Sequence, residues 1–129
     1  MTRVLLFGAS GFIGGHARAA LGSDPRIAEV ICPGRTTCDL LGGEPDTLAA
    51  VLREVAPDAV VTCVGALTGS ATQLVAANTL AAAKLLEAAS AAVPEARLIR
   101  LGSASEYGVV PDGASVAEED PAEPVSAYG

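Results

Sequence analysis

Val4-Leu5-Leu6-Phe7-Gly8-Ala9-Ser10-Gly11-Phe12-Ile13-Gly14 decides how the chain is read. The run Arg3–Phe7 is short, apolar and stopped by glycine, the pattern of a strand buried on both faces. From Phe12 to Leu21 the pattern turns helical, with alanines throughout and Gly22 as a stop. Working outward, Ile27–Cys32 reads as a second strand closed by Pro33-Gly34, and Thr36–Leu40 as a minor third strand. Leu48, Val51, Leu52 and Val55 recur at helical spacing within Asp46–Val55. Pro57-Asp58 opens a strand over Ala59–Val64, Gln73–Ala92 is a long Ala/Leu-rich helix, and Arg97–Leu101 is a last strand closed by Gly102. The proline- and glycine-rich stretch 103–127 reads as loop. Strands alternating with helices predict an α/β protein built on a doubly wound parallel sheet in three layers, with strand order 3-2-1-4-5.

The three glycines of the first βα turn have separate uses. Gly8 lets the chain turn sharply off the strand, Gly11 keeps a side chain out of the way of an approaching pyrophosphate, and Gly14 lets the helix lie close to the sheet. Free N–H groups at the helix start, aided by the helix dipole, face the phosphates. Strand, glycine turn and helix at the head of an α/β pattern form the context in which such a motif marks a Rossmann-type dinucleotide site. An enzyme preferring NAD often places an acid at the end of its second strand to bind the ribose hydroxyls. Here Pro33-Gly34-Arg35 follows Cys32 instead, and an arginine there suits a 2′-phosphate, so the expected cofactor is NADP, with NAD as the alternative.

Composition narrows the function classes. The 8 basic and 15 acidic residues give a net charge of −7, against a nucleic-acid partner or an anionic membrane surface. The acids crowd at Glu118, Glu119, Asp120 and Glu123, which reads as a solvated loop. Half the residues are hydrophobic, yet two Phe, two Tyr and no Trp occur, so the core is Ala, Val and Leu. Cys32, Cys38 and Cys63 have no CxxC pairing and sit in or beside apolar runs, as free thiols of a reducing cytosol do. The chain opens directly on a strand-like run with no signal-peptide pattern and no apolar stretch of about 20 residues. These features point to a cytoplasmic protein without a metal site.

The spacing G-x-x-G-x-x-G after a strand resembles the short-chain dehydrogenase/reductase family, specifically its extended branch of NAD-dependent epimerases and dehydratases. The resemblance runs the length of the chain. Asp39-Leu40 looks like the family's adenine-contacting position, Pro57-Asp58-Ala59-Val60-Val61 like its PDxVxx strand entry, and Asn78…Leu85-Leu86-Glu87-Ala88-Ala89 like its NxxxxxxLLxAA helix. Gly102-Ser103-Ala104-Ser105-Glu106-Tyr107-Gly108 resembles SSxxVYG, and Glu119-Asp120-Pro121…Pro124…Tyr128-Gly129 resembles ExxPxxPxxxYGxSK. On this likeness residues 1–129 are the NAD(P)-binding Rossmann domain, with 103–129 its active-site loop region. The resemblance implies a cofactor cradle of Gly8, Ser10, Gly11, Phe12, Ile13 and Gly14, with Arg35, Asp39 and Leu40 at the adenosine end. Val64, Gly65, Ala66 and Asn78 complete the expected cofactor contacts, and on the nicotinamide-ribose side Cys63-Val64-Gly65-Ala66 replaces the family's Ala-Ala or Ala-Gly pair.

The same resemblance implies the chemistry. A tyrosine moves the proton of a sugar hydroxyl while hydride passes to or from the nicotinamide, and a serine hydrogen-bonds the same oxygen. These roles fall on Tyr128 and Ser103. Free tyrosine titrates near 10, so a base at neutral pH needs a nearby cation. In the family a lysine four residues after the tyrosine supplies it, which here falls past Gly129; the chain is therefore expected to be an N-terminal part, inactive by itself. Dehydratases carry Asp-Glu directly after the hydroxyl residue. Ala104-Ser105 stand there, with Glu106 one place late, so a sugar-nucleotide epimerase or 4-ketoreductase is expected, with a nucleotide-sugar substrate and room for a homodimer. A non-catalytic NAD(P)-binding sensor is the competing reading.

Overall fold

The computed structural model describes residues 1–129. The strands are β1 (Thr2–Phe7), β2 (Ile27–Ile31), β3 (Ala59–Thr62) and β4 (Arg97–Arg100), and they form one sheet in the order β2-β1-β3-β4. All three pairings are parallel: Leu5 stands beside Ile31 on one flank and Val60 on the other, and Val60 beside Leu98. Helix α1 (Phe12–Ser23) follows β1, α2 (Pro45–Val55) follows β2, and α3 (Ala71–Val75) runs through a π-helical turn, Ala76–Leu80, into α4 (Ala81–Ala92). A single 3-10 turn, Ala104–Tyr107, follows β4.

Successive strand residues point to opposite faces, which divides the core in two. Leu5, Phe7 and Val60 face α2 and α4, where Leu48, Leu52, Leu85 and Ala88 bury against them. Val4, Leu6, Ala59 and Val61 face the other way, toward Ala17 and Leu21 of α1. The result is the three-layer, doubly wound α/β sandwich expected from the alternation. On the α1 side the helix covers β1 and β2, while Ile99 and Leu101 at the β4 edge remain 40% and 43% exposed. The Pro57-Asp58 entry has a mechanical role. Asp58 accepts the Arg3 N–H on its carboxylate at 2.7 Å, donates its own N–H to Arg3 O, and accepts the Arg97 N–H on its carbonyl. One residue thereby aligns the starts of β1, β3 and β4.

The minor strand expected at Thr36–Leu40 is not formed, so the sheet has four strands rather than five and β2 is an edge. The cause is local hydrogen bonding. Gly34 O accepts from Thr37 N and Cys38 N, Asp39 O accepts from Gly43 N, and the Asp39 carboxylate accepts from Leu41 N at 2.9 Å. Amides spent on their own turns cannot build a ladder with β2. Lys84 of α4 ties the turn down by donating to Leu41 O and Gly43 O at 3.1 and 3.0 Å. Cys38 and Leu40 still reach the core, which explains their apolar character without a strand. The helix expected over Gln73–Ala92 also departs from expectation, starting at Ala71 and carrying the π turn in its middle. Ser70 caps its start: the side chain accepts from Gln73 N, and Gln73 Oε1 accepts from Ser70 N at 2.8 Å.

Leu52 is fully buried between α2 and the sheet. Leu52→Ala is expected to lower unfolding free energy by about 2–5 kcal/mol in urea titration with the m-value unchanged; a loss below about 1 kcal/mol would show that this face is not packed as described.

Candidate functional site

Two cavities open side by side at the C-terminal ends of the strands, where ligands bind in open α/β sheets. The β1–β2 cavity, about 340 Å³, lies over the first βα turn and the end of β2. The β3–β4 cavity, about 380 Å³, runs from the start of α1 to the loop after β4. Gly11, Cys63, Val64 and Gly65 line both, so together they make one continuous groove. Gly8, Ser10, Arg35, Asp39 and Leu40 line the first; Phe12, Ile13, Gly14, Ala66, Asn78, Ser103 and Tyr128 line the second. Residues spread from position 8 to 128 thus share one groove.

The glycines at its centre are required for different reasons. Gly8 has φ +79°, in the left-handed region, and a Cβ on it would stand 2.9 Å from the Cys63 carbonyl carbon. A Cβ on Gly14 would overlap the Gly8 carbonyl, so helix and loop touch only because position 14 has no side chain. Gly11 differs: its φ of −79° suits any residue, and a Cβ there would meet only Gly8 O, at 3.4 Å. Internal packing does not demand a glycine at 11, and the space it leaves belongs to the groove. The first turn of α1 has no side-chain cap and no acidic residue, so its N–H groups stay open to an anion.

The wall between β3 and α3 is held by Asn78. Its side chain accepts from Ala66 N at 2.9 Å and donates to Ala66 O at 2.8 Å, clamping the loop that carries Val64 and Gly65. Gly65 is small because a Cβ would come within 2.9 Å of Asn78 Oδ1. Asn78 lies in the π turn, and its carbonyl accepts from Arg100 Nη2 at 2.9 Å. Such turns are found frequently at functional sites.

After β4, the Ser103 hydroxyl oxygen accepts from Ser105 N at 3.2 Å and caps the 3-10 turn. The C-terminal segment folds back over that turn. Gly108, at φ +73°, leaves room for the Glu123 carbonyl, and Gly129 lies close against the Ser105 carbonyl. This return brings Tyr128 into the cavity of Ser103. The sequence reading gave no site role to Arg18, Cys63, Arg100 or Glu106, which also line the groove. The strand-end rule pointed to Cys63 and Arg100, and helical spacing from Gly11 and Gly14 pointed to Arg18. Glu106, one place late for the dehydratase pattern, reaches the cavity with its carboxylate over Gly102.

Burial pushes the Cys63 thiol up from its ordinary value; burial and the neighbouring Asp39 charge do the same to Cys38. Both stay protonated at neutral pH. No three His, Cys, Asp or Glu side chains converge in a metal-binding cluster, and no helix is long and apolar enough to cross a membrane.

A family model described as the NAD dependent epimerase/dehydratase family matches residues 4–129. The chain belongs to this family. Among curated family relatives it is 38% identical, over 98% of its length and 43% of the relative's, to the dTDP-6-deoxy-L-talose 4-dehydrogenase (NAD(P)(+)) of Kitasatospora kifunensis. Among solved structures it matches RMD from Pseudomonas aeruginosa, complexed with NADPH, at 30% identity and TM-score 0.80, over 99% of this chain and 44% of that one. The dTDP-4-dehydrorhamnose reductase of Clostridium acetobutylicum shares the fold at TM-score 0.82 and 20% identity, covering 98% of this chain and 45% of that one. The chain spans less than half the length of these relatives.

The glycine geometry separates two substitutions. Gly14→Ala should destabilise by about 1–3 kcal/mol despite alanine's better helix propensity, because its methyl strikes the Gly8 carbonyl. Gly11→Ala should stay within about 1 kcal/mol of the parent. Paired thermal melts measure both, and equal melting temperatures would contradict the contact at Gly14.

Proposed function

We propose that this segment is the NAD(P)-binding domain of a sugar-nucleotide epimerase or 4-ketoreductase, with residues 103–129 its active-site loop region, Tyr128 the acid/base and Ser103 its hydrogen-bonding partner. The supporting observation is that Ser103 and Tyr128 line one end of a groove whose other end holds Arg35 and whose middle is glycine. The residues present fit a dinucleotide. The open N–H groups of α1 and the space at Gly11 suit a pyrophosphate, Arg35 suits a 2′-phosphate and so NADP over NAD, and Leu40 offers an apolar edge to a base. One Asp39 carboxylate oxygen holds its own turn, which leaves the other for an adenine contact. When bound, the nicotinamide would supply a hydride donor or acceptor.

Ser103 accepts the Ser105 N–H, which leaves its own O–H proton to donate to a sugar oxygen. Tyr128 gives that oxygen its proton or removes it. A phenolate near neutral pH needs a cation close by; Arg100 is the one basic residue lining this cavity, beside the lysine that family likeness expects past Gly129. Ala104 and Ser105 leave the two positions after Ser103 without an acid, which favours epimerisation or reduction over dehydration. A relative 38% identical, a dTDP-6-deoxy-L-talose 4-dehydrogenase, supports a nucleotide-sugar substrate.

Gly11→Val should abolish NADPH binding in calorimetric titration while leaving the fold intact, because its branched side chain fills the groove and not the core. Unchanged affinity would remove the pyrophosphate from this turn. In the natural polypeptide carrying this segment, Tyr128→Phe should cut kcat with 4-keto or 4-hydroxy nucleotide sugars by roughly 10²–10⁴-fold, with NADPH affinity kept. Turnover at the parent rate would reassign the acid/base; a parent that binds NADPH but turns over no sugar would favour the sensor.

A further inference from the structure

The β1–β2 cavity holds a second cation besides Arg35. Its charged lining residues are Arg18, Arg35 and Asp39, a net positive set in a molecule of net charge −7. Neither arginine has an ion pair or a side-chain hydrogen bond; the two ion pairs of the chain are Arg3–Glu29 and Arg26–Asp24, and Arg100 has its own carbonyl partner. Asp39 does not neutralise them through a direct contact, and one of its oxygens is spent on Leu41 N. Two guanidinium groups without partners therefore line one cavity in an acidic protein.

Helix geometry explains how Arg18 gets there. Residues three, four and seven places back share its side of α1, and these are Gly15, Gly14 and Gly11. A helical side chain leans toward the N-terminus over the preceding turn. None of the three carries a side chain to block it, and beside Gly15 a Cβ would meet only Ala9 O, at 3.8 Å. Arg18 lines the cavity that contains Pro33, Gly34 and Arg35, and not the one that contains Ser103 and Tyr128. It faces the adenosine end, away from the chemistry.

We propose that Arg18 is a specificity-determining residue, closing with Arg35 on the 2′-phosphate of NADP from the opposite wall of the cavity. This rests on the dinucleotide reading above. A phosphomonoester carries close to two charges at neutral pH and three strong acceptor oxygens, more than a single exposed arginine satisfies in a solvent-open groove. The pyrophosphate already has the open N–H groups of α1, so the cation with no other partner is left for the 2′ position. Arg18 is exposed, and its replacement removes no core contact.

The test is a calorimetric titration of the parent, Arg18→Ala, Arg18→Lys and Arg35→Ala with four ligands: NADPH, NADH, 2′,5′-ADP and 5′-AMP. The expected result is a loss of about 10–100-fold for NADPH and 2′,5′-ADP in Arg18→Ala, the range for one charge-assisted contact. NADH and 5′-AMP should stay within about 2-fold, Arg18→Lys should recover part of the loss, and the melting temperature should not move. In the double variant the losses should sum to less than the separate effects, because both arginines share one phosphate. Equal loss for NADPH and NADH would overturn the proposal by moving Arg18 to the pyrophosphate, and so would no loss at all or a parent preference for NADH. A parent that binds none of the four would overturn it together with the dinucleotide reading, whereas a parent that binds all four alike would leave that reading standing and remove Arg18 from it.

Discussion

The Gly14 methylene lies against the Gly8 carbonyl with no room for a methyl group between them. This contact sets the distance from the end of β1 to the start of α1. It holds the helix low over Val4 and Leu6, points the first-turn amides at the groove, and leaves Gly11 with its free side outward. Gly8, at positive φ and with no room for a Cβ beside the Cys63 carbonyl carbon, packs the same turn against the exit of β3. The floor shared by the two cavities consists of the residues that this packing brings together.

From that floor the site is extended by hydrogen bonds rather than by apolar packing. Arg100 holds the carbonyl of Asn78, and Asn78 holds both backbone groups of Ala66. The chain of bonds connects the last sheet strand, the π turn and the loop after β3, so the wall of the β3–β4 cavity is fixed from three elements. Around it the apolar surface is open: Phe12 is 84% and Leu67 75% exposed at the rim. A polar framework with an apolar, uncovered lip suits a ligand with a flat ring and a sugar, where directional groups orient and the lip excludes water.

The two departures from the sequence-based expectation share one physical cause. At Thr36–Leu40 the apolar residues suggested a strand, but Gly34 and Asp39 offered the backbone closer partners than β2 did, and local turns won. In α3–α4 the alanine-rich composition suggested an unbroken helix, but the Asn78 side chain is committed to Ala66 and its carbonyl to Arg100, and one wider turn accommodates both. In each place a polar side chain bonded to a backbone overrode a propensity worth a few tenths of a kcal/mol per residue.

The sequence by itself determined the alternation of strands and helices, the central position of β1, the glycine turn and the family. These follow from short-range patterns: continuous apolar runs of strand length, 3.6-residue periodicity, and glycines at fixed offsets within one turn. Ser103 and Tyr128 could be named from motifs, but nothing in the linear spacing put them in one cavity. That took the return of residues 109–129 over Gly108 and the Ser105 carbonyl. Arg18 and Arg35 likewise come to one cavity only because β2 lies beside β1 and α1 crosses above them. Which charges face one another across a groove depends on strand order and on the direction a helix presents its side chains, and those are settled by packing over the whole sheet.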